Sequence, residues 1–343
     1  MAYLTRYGSL WGSVPATTGR VFWVAPSATY YIEGRPYSAS DDNDGLSPER
    51  ALVTVDRAVA LTKLSAGGGP LTAATVYGDV IVLLPGTHTA AASLVLSQAG
   101  VTIMGVPHDR AQNISGTAIA TSNRTRRPLA TLTVVAGADI GSVTASDVTI
   151  SNLRLLPVST KKCLTFTTAA SRLRVLNCYI DLATVAGNAS SGGIFGTSTT
   201  QAPADIQIIG CVFKEANAGT TNGAGLSLGA AVGFLVEDCY FVKQFTASSA
   251  AWTSATVVNT NTTGLFVNNT FFAAGGGAGD VITNGVKGAS LAGTSVVGLM
   301  RNVVGVKTTN PFTSFAAGDC DLALNYVATV AGGTGGTLIT STT

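Results

Sequence analysis

Paired carboxylates are the first feature of the sequence that could do chemistry, because glycoside hydrolysis needs two of them about 5 to 10 Å apart. Asp181 and Glu215 are the best pair, since they stand at the ninth and tenth places of adjacent copies of a repeated segment. Asp238 is a further candidate. Lys214 stands at the ninth place beside Glu215, so an ion pair between Asp181 and Lys214 across neighbouring copies is the simpler interpretation.

Two other patterns that resemble functional motifs are incomplete. Gly225, Ser227 and Gly229 spell GxSxG, but a nucleophile elbow needs a strand that leads into a helix, and this segment lies in a repeat strand. The acidic stretch 41–45 resembles a calcium loop, yet Ala51 stands where the bidentate glutamate belongs. We therefore expect an ordinary turn at residues 41–45.

The five cysteines also argue against a zinc site and against a disulfide framework, because their number is odd and no CxxC pair is present. Cys178, Cys211 and Cys239 recur at one place of the repeat, and we expect them to be buried free thiols in one inner column. The sequence thus predicts no catalytic residue, no metal site and no cofactor.

The repeat itself is the main organising feature of the chain. Its clearest copies are LRVLNCYI from Leu173, IQIIGCVF from Ile206, FLVEDCYF from Phe234 and LFVNNTFF from Leu265. The first and third places are apolar; the fifth is Asn177, Gly210, Asp238 or Asn269, and the sixth is Cys178, Cys211, Cys239 or Thr270. With weaker copies from Val148, Val297 and Cys320, the starting points lie roughly 23 to 33 residues apart, which is typical of a solenoid.

Alternating apolar places rich in Val, Ile, Phe and Tyr indicate that each copy is a strand. The intervals between copies carry further candidate strands, from Cys163, Gly192, Ala224 and Ala255, so two or three strands per coil are expected. A parallel β-helix, in which strands of successive coils pair about 4.8 Å apart, accommodates this pattern.

Composition restricts the function. Charged residues make up 11% of the chain, less than half the usual share, and the chain has 40 glycines. A surface with so few charged residues indicates that part of it is covered in an oligomer or a larger assembly. A net charge of +2 does not indicate the basic surface that nucleic-acid binding requires, and no apolar run is long enough for a membrane span. A signal peptide has a charged segment followed by an apolar one, and the first ten residues, MAYLTRYGSL, do not show this order. We therefore expect synthesis in a cytosol.

Two segments are candidates for partner docking. Residues 1–37 hold eight of the 24 aromatic residues, and a docking arm or a cap over the first coil would both explain them. A cluster of arginines in a loop would bind an acidic partner surface or an acidic glycan, although an ordinary solvated loop explains the cluster as well. The docking candidates are Tyr3, Tyr7, Trp11, Phe22, Trp23, Arg124, Arg126 and Arg127.

The segment 38–90 resembles a known family. Its acidic turn with DGLSP, a short helix after the N-cap Thr54, and GDVIVLLPGTH from Gly78 resemble the entrance of pectate-lyase-like right-handed β-helix proteins. In that family a helix closes the open end of the solenoid, and many members belong to bacteriophage particles. The resemblance implies fold more than activity, because β-helices include lyases, hydrolases and inert fibres.

We therefore expect an all-β, right-handed parallel β-helix with a short N-terminal capping helix. The expected regions are an aromatic arm (1–37), the capping helix and first coil (38–100), the β-helix (101–330) and a C-terminal tail (331–343) that contributes a last strand. The expected function is a non-enzymatic, trimeric virion protein that binds other virion proteins and decorates a capsid in preference to a tail. The alternative is a tailspike depolymerase that cleaves host surface polysaccharide.

Overall fold

The computed structural model describes most of the chain. The described residues are 19–32, 34–65, 68–71, 78–106, 128–135, 137–158, 161–182, 192–197, 203–215, 224–244, 252–258, 262–274, 282–288, 296–304, 308–313, 320–323, 325–327 and 337–339. They form three long sheets, and successive strands of the chain visit sheets 1, 2 and 3 in turn. Each visit to the three sheets makes one coil of a right-handed parallel β-helix.

Sheet 1 has ten strands. In spatial order they are β1 (Val21–Val24), β4 (Val80–Leu83), β7 (Thr102–Gly105), β10 (Thr149–Ser151), β13 (Arg174–Leu176), β16 (Gln207–Ile209), β19 (Val232–Glu237), β22 (Thr263–Val267), β25 (Val296–Met300) and β28 (Cys320–Ala323).

Sheet 2 also has ten strands, and the last of them is antiparallel to its neighbour. They are β5 (Gly86–Ala90), β8 (Ala130–Val134), β11 (Leu153–Leu155), β14 (Tyr179–Asp181), β17 (Val212–Glu215), β20 (Tyr240–Gln244), β23 (Thr270–Ala274), β26 (Val303–Val304), β29 (Asn325–Val327) and β30 (Thr337–Ile339).

Sheet 3 has eight strands, which include the additional strands expected in the intervals. They are β6 (Leu94–Leu96), β9 (Gly141–Val143), β12 (Lys162–Phe166), β15 (Gly192–Gly196), β18 (Leu226–Ser227), β21 (Trp252–Val258), β24 (Ile282–Gly288) and β27 (Thr308–Thr313).

The eight-residue repeat is two strands and not one. In the first clear copy, β13 and β14 are separated by a corner at Asn177, whose φ of 53° lies in the left-handed region. Asp238 and Gly210 turn the same corner in later coils. Asn and Asp tolerate this conformation better than other side chains do, which explains the polar residue at the fifth place.

The fourth copy begins one residue earlier than the sequence pattern indicated. Phe266 pairs with Val236 in register, so the copy runs from Gly264. Asn268 therefore turns the corner, with a φ of 57°, and Asn269 faces inward where Thr270 was expected. Two adjacent asparagines are equally suited to the corner by residue type, and only the strand pairing distinguishes them.

The inner column after the corner changes chemistry along the solenoid. Cys178, Cys211 and Cys239 are buried free thiols, as expected. Burial raises the pKa of the Cys178 and Cys211 thiols well above the usual range. The column continues as buried asparagines: the Oδ1 atom of Asn269 accepts from the Cys239 amide at 3.0 Å. Asn302 and Asn325 follow in the next coils.

An aromatic stack fills the core beside this column. The rings of Phe213, Phe241 and Phe271 lie on successive coils, with centroids 4.7 and 4.8 Å apart and planes within 10° of each other. All three side chains are fully buried. Since coils repeat at about 4.8 Å, identical rings at one place of the repeat stack face to face.

The N-terminal end of the solenoid is covered by the chain itself. Helix α1 (Val55–Thr62) begins after the N-cap Thr54, whose hydroxyl accepts from the Arg57 amide, and buries Val55, Ala58 and Val59 against the first coil. A hairpin of β2 (Thr29–Ile32) and β3 (Arg35–Ser38), followed by a short 3-10 turn (Pro48–Arg50), covers the outer side of sheet 1 at β1, β4 and β7. The capping helix therefore closes the core, as expected.

The boundary expected at residue 37 does not separate an arm from the solenoid, because β1 is already the first strand of sheet 1. In the tail, β30 pairs antiparallel with β29 of the same chain. Within the described ranges, no helix is long and apolar enough to cross a bilayer.

Candidate functional site

Asp181, the leading catalytic candidate, is bound into the scaffold. The residue is 4% exposed, and its carboxylate accepts hydrogen bonds from Arg154 of the preceding coil, with Nη2 at 2.6 Å and Nε at 3.1 Å. Lys214 of the following coil lies beside it in register. A cross-coil ion pair was expected, but the sequence pattern did not identify Arg154 as the partner, because Arg154 lies in one of the weaker copies of the repeat.

Asp238 does not join Asp181 in a common site. Asp238 is an exposed corner residue two coils further along, which corresponds to roughly 10 Å along the axis. Glu215 is described as a backbone position of β17 that pairs with Lys243. The described side chains therefore do not form the acid pair that glycoside hydrolysis requires.

The GxSxG segment has the geometry of an ordinary repeat strand. Ser227 ends β18, is buried, and lies between Phe195 and Val257 of the neighbouring strands. A turn at Gly229 and Ala230 then leads into β19. A strand followed by a strand does not lift the hydroxyl clear of the sheet, as a nucleophile elbow does.

The acidic turn closes the loop before α1. The Asp41 carboxylate accepts from the Val53 and Thr54 amides at 3.1 and 2.9 Å, and from the Thr54 hydroxyl at 2.6 Å. Asp44 accepts from the Leu46 amide and pairs with Arg50. Among the described residues, no group of three or more His, Cys, Asp or Glu side chains could hold a metal ion.

The docking prediction is wrong for two of its residues. Phe22 and Trp23 are 2% and 0% exposed, because β1 directs Phe22 into the solenoid core and Trp23 under the β2–β3 hairpin. Neither side chain is available to a partner. The other candidates lie outside the described residues: Tyr3, Tyr7, Trp11, Arg124, Arg126 and Arg127.

An apolar surface on three successive coils near the C-terminal end is the candidate functional site. Of the eleven large apolar side chains exposed in the described residues, seven lie here, each 37 to 49% exposed. On the outer side of sheet 1 they form apolar face 1: Val232, Leu265, Val296 and Met300. On the outer side of sheet 2 they form apolar face 2: Tyr240, Phe272 and Val303.

Apolar face 1 has a groove of about 350 Å³ beside Leu265, Val296 and Met300. Gly298 is the glycine of this face, because it pairs with the outward residue Leu265. A Cβ at Gly298 would lie 2.4 Å from the Leu265 side chain. A side chain at position 298 would therefore require the Leu265 side chain to move.

Sequence reasoning missed both faces, although a signal was present. In the later copies the outward places are apolar as well as the inward ones, so LFVNNTFF lacks the polar alternation of a strand with one solvated face.

Comparison with known proteins gives structural neighbours only. Pectin methylesterase PemA from Erwinia chrysanthemi has 10% identity over 92% of this chain and 91% of its own, with a TM-score of 0.48. Carrot pectin methylesterase has 12% identity over 96% and 91%, with a TM-score of 0.48. The Aspergillus niger enzyme has 12% identity over 93% and 88%, with a TM-score of 0.47.

No family model and no curated protein sequence matches the chain. At these identities and TM-scores the structural likeness carries no argument about this chain. The class of fold, a parallel β-helix, follows from the sheet topology of the chain itself.

Proposed function

We propose that this chain is a non-enzymatic structural component of a bacteriophage particle. It binds other virion proteins and decorates or reinforces the capsid in preference to the tail. The resemblance of its first coil to phage β-helix proteins supports the choice of particle.

The observation that carries the proposal is the exposed apolar surface of apolar faces 1 and 2. Large apolar patches on a soluble protein are typical of surfaces that another protein covers. Phe272 and Tyr240 are aromatic, and aromatic side chains are enriched at such interfaces. Two buried acids have scaffold roles, since Asp181 pairs with Arg154 and Asp79 pairs with Arg20.

Sedimentation of purified particles tests the proposal. The chain is expected to sediment with the particles in a fixed ratio to the major capsid protein, and to remain bound through washing in high salt. A chain that is produced during infection but absent from washed particles would contradict the proposal.

Incubation with host capsule or lipopolysaccharide provides the second arm. A structural protein releases no oligosaccharide. Release of oligosaccharide by the unmodified chain would favour a tailspike depolymerase instead, if Asp181→Asn or Glu215→Gln abolishes it. The two variants must keep the circular dichroism spectrum of the unmodified chain.

A further inference from the structure

We propose that the virion protein covering apolar faces 1 and 2 places a basic residue against Asp238 and an acidic residue against Arg301. These two contacts fix the direction in which the solenoid lies on the particle. The inference rests on the proposed function and deepens it, because it states the charge pattern of the partner surface.

A corner ridge, formed by Asp238, Asn268 and Arg301, separates the two apolar faces. These residues join sheet 1 to sheet 2 in three successive coils, with φ angles of 52°, 57° and 51°. The Asp238 amide donates to the Val267 carbonyl at 3.1 Å, and the Asn268 amide donates to the Met300 carbonyl at 3.0 Å. The corners are therefore stacked, and Asp238 and Arg301 stand roughly 10 Å apart along the axis.

Exposed apolar side chains lie on both sides of the corner ridge. Met300 on face 1 directly precedes Arg301, and Val303 on face 2 follows it by two residues. Tyr240 on face 2 follows Asp238 by two residues. A protein that covers both faces therefore also covers the ridge and its two charges.

The two charges on the corner ridge are not paired within the described part of the chain. Asp238 and Arg301 are both exposed, and neither belongs to any of the salt bridges that the described residues form. Removing an unpaired charge from water is costly. A partner that covers the ridge must therefore bring the opposite charge to each end.

Another edge of the solenoid shows a different arrangement of the same residue types. Asp147 and Arg172 are left-handed corner residues between sheets 3 and 1, and they stand on adjacent coils. Nε and Nη2 of Arg172 each donate to the Asp147 carboxylate at 2.6 Å. Opposite charges on adjacent coils thus satisfy each other. On the corner ridge Asn268 lies between the two charges, so both remain available to another protein.

The charges supply a direction that apolar contact lacks. Burial of apolar surface is non-directional, so the faces alone would allow the solenoid to lie either way round on the same partner. Asp238 and Arg301 make the two ends of the ridge different. A reversed solenoid would set like charges together, and such contacts suppress the wrong arrangement.

Exchange of the two charges tests the proposal. The double variant Asp238→Arg with Arg301→Asp keeps the composition and net charge, and both residue types already occupy left-handed corners in this chain. Its binding to washed particles that lack the chain is compared with that of the unmodified chain. At an ionic strength of about 0.1 M, where the Debye length is about 10 Å, we expect binding to be at least about tenfold weaker. At about 1 M, where the Debye length is about 3 Å, the difference should narrow.

Two further variants complete the experiment. The double variant Asp147→Arg with Arg172→Asp makes the same exchange on the other edge, away from both faces, and is expected to bind like the unmodified chain. Asp238→Asn with Arg301→Gln removes both ridge charges with little change in shape. It should bind more weakly than the unmodified chain and more tightly than the exchanged one.

Three results would overturn the inference. They are equal binding by the exchanged and unmodified chains, a loss that is the same at both ionic strengths, and an equal loss in the control exchange. Light scattering of the unmodified chain without particles adds a fourth: self-association that the ridge exchange dissolves would assign the ridge to a second copy of this chain.

The experiment separates this inference from the function on which it rests. If the unmodified chain does not bind the particles, the proposed function fails and the inference fails with it. If the unmodified and exchanged chains bind equally well, only the inference fails.

Discussion

Asn269, Asn302 and Asn325 show how a single residue type holds three coils together. The Oδ1 atom of each buried side chain accepts a hydrogen bond from a backbone N–H of the preceding coil, and its Nδ2 atom donates one to a backbone carbonyl. For Asn302, Oδ1 accepts from the backbone N–H of Asn269 at 3.0 Å, and Nδ2 donates to the Phe266 carbonyl at 3.0 Å. Because the column is fully buried, these bonds have no competition from water.

Replacement of the central asparagine tests this column. Asn302→Ala leaves the Asn269 amide and the Phe266 carbonyl buried without partners, and each such group costs about 1–3 kcal/mol. We expect a clear fall in the denaturant midpoint of the C-terminal coils. Gln207→Ala, which removes a partly exposed amide from sheet 1, is the control and should change stability by less than about 0.5 kcal/mol. Equal midpoints for the two variants would refute the role of the column.

His88 makes the stability depend on pH. Burial lowers its pKa below the usual 6.5, against the opposing effect of the hydrogen bond from Nε2 to the Leu84 carbonyl at 2.8 Å. The unfolded chain therefore binds the proton more readily than the folded chain. Stability is complete above pH 6.5 and falls as the pH drops through the folded pKa, by at most about 1.4 kcal/mol per unit.

Urea midpoints at pH 7.5 and 5.5 measure this effect. His88→Gln keeps a donor for the Leu84 carbonyl and does not titrate, so the difference between the two midpoints should shrink. An unchanged difference would assign the pH dependence to other groups.

The corner and inner positions could be predicted from the sequence where Asn or Asp stands beside a cysteine, as at Asn177–Cys178. They could not be predicted at Asn268–Asn269, because both residues tolerate a left-handed φ and both can hydrogen-bond inside. Strand pairing decides between them, and pairing is a property of neighbouring coils.

At the scale of elements, a partly buried ion pair joins the cap to the first coil. Arg20 precedes β1, and its Nη2 donates to Asp79 at 2.6 Å and to the Leu61 and Leu64 carbonyls at the end of α1. Asp79 is itself buried just before β4. One guanidinium thus fastens a helix and two strands of sheet 1.

Loss of the acid should loosen the cap. Asp79→Asn leaves the Arg20 charge without its anionic partner, and because Arg20 is partly exposed the cost is below the roughly 3–5 kcal/mol of a fully buried pair. Hydrogen exchange in residues 55–62 is expected to accelerate. Asp44→Asn removes the exposed pair with Arg50 and should leave exchange in α1 unchanged. Unchanged protection of α1 in Asp79→Asn would contradict this account.

The capping helix could be predicted from its N-cap and its apolar spacing, and so could four of the eight strands of sheet 3, namely β12, β15, β18 and β21. The location of Phe22 and Trp23 could not. Aromatic residues indicate an interface equally well whether the covering surface belongs to a partner or to the same chain, and here the β2–β3 hairpin covers Trp23.

At the scale of the whole molecule, the solenoid has two different ends. The N-terminal end is closed by α1 and the hairpin, whereas the later coils carry apolar faces 1 and 2. The proposed function assigns the later coils to the contact with another protein, while the N-terminal segments complete the fold. The low share of charged residues in the sequence predicted a surface that another protein covers. Its location could not be predicted, because it depends on which outward side chains the stacked coils bring together.

Electron cryomicroscopy of intact particles tests the central claim most directly. The account predicts clustered columns of density on the particle surface, with rungs about 4.8 Å apart and a length that fits this solenoid. Particles that carry no such columns, from infections in which the chain is abundant, would contradict it.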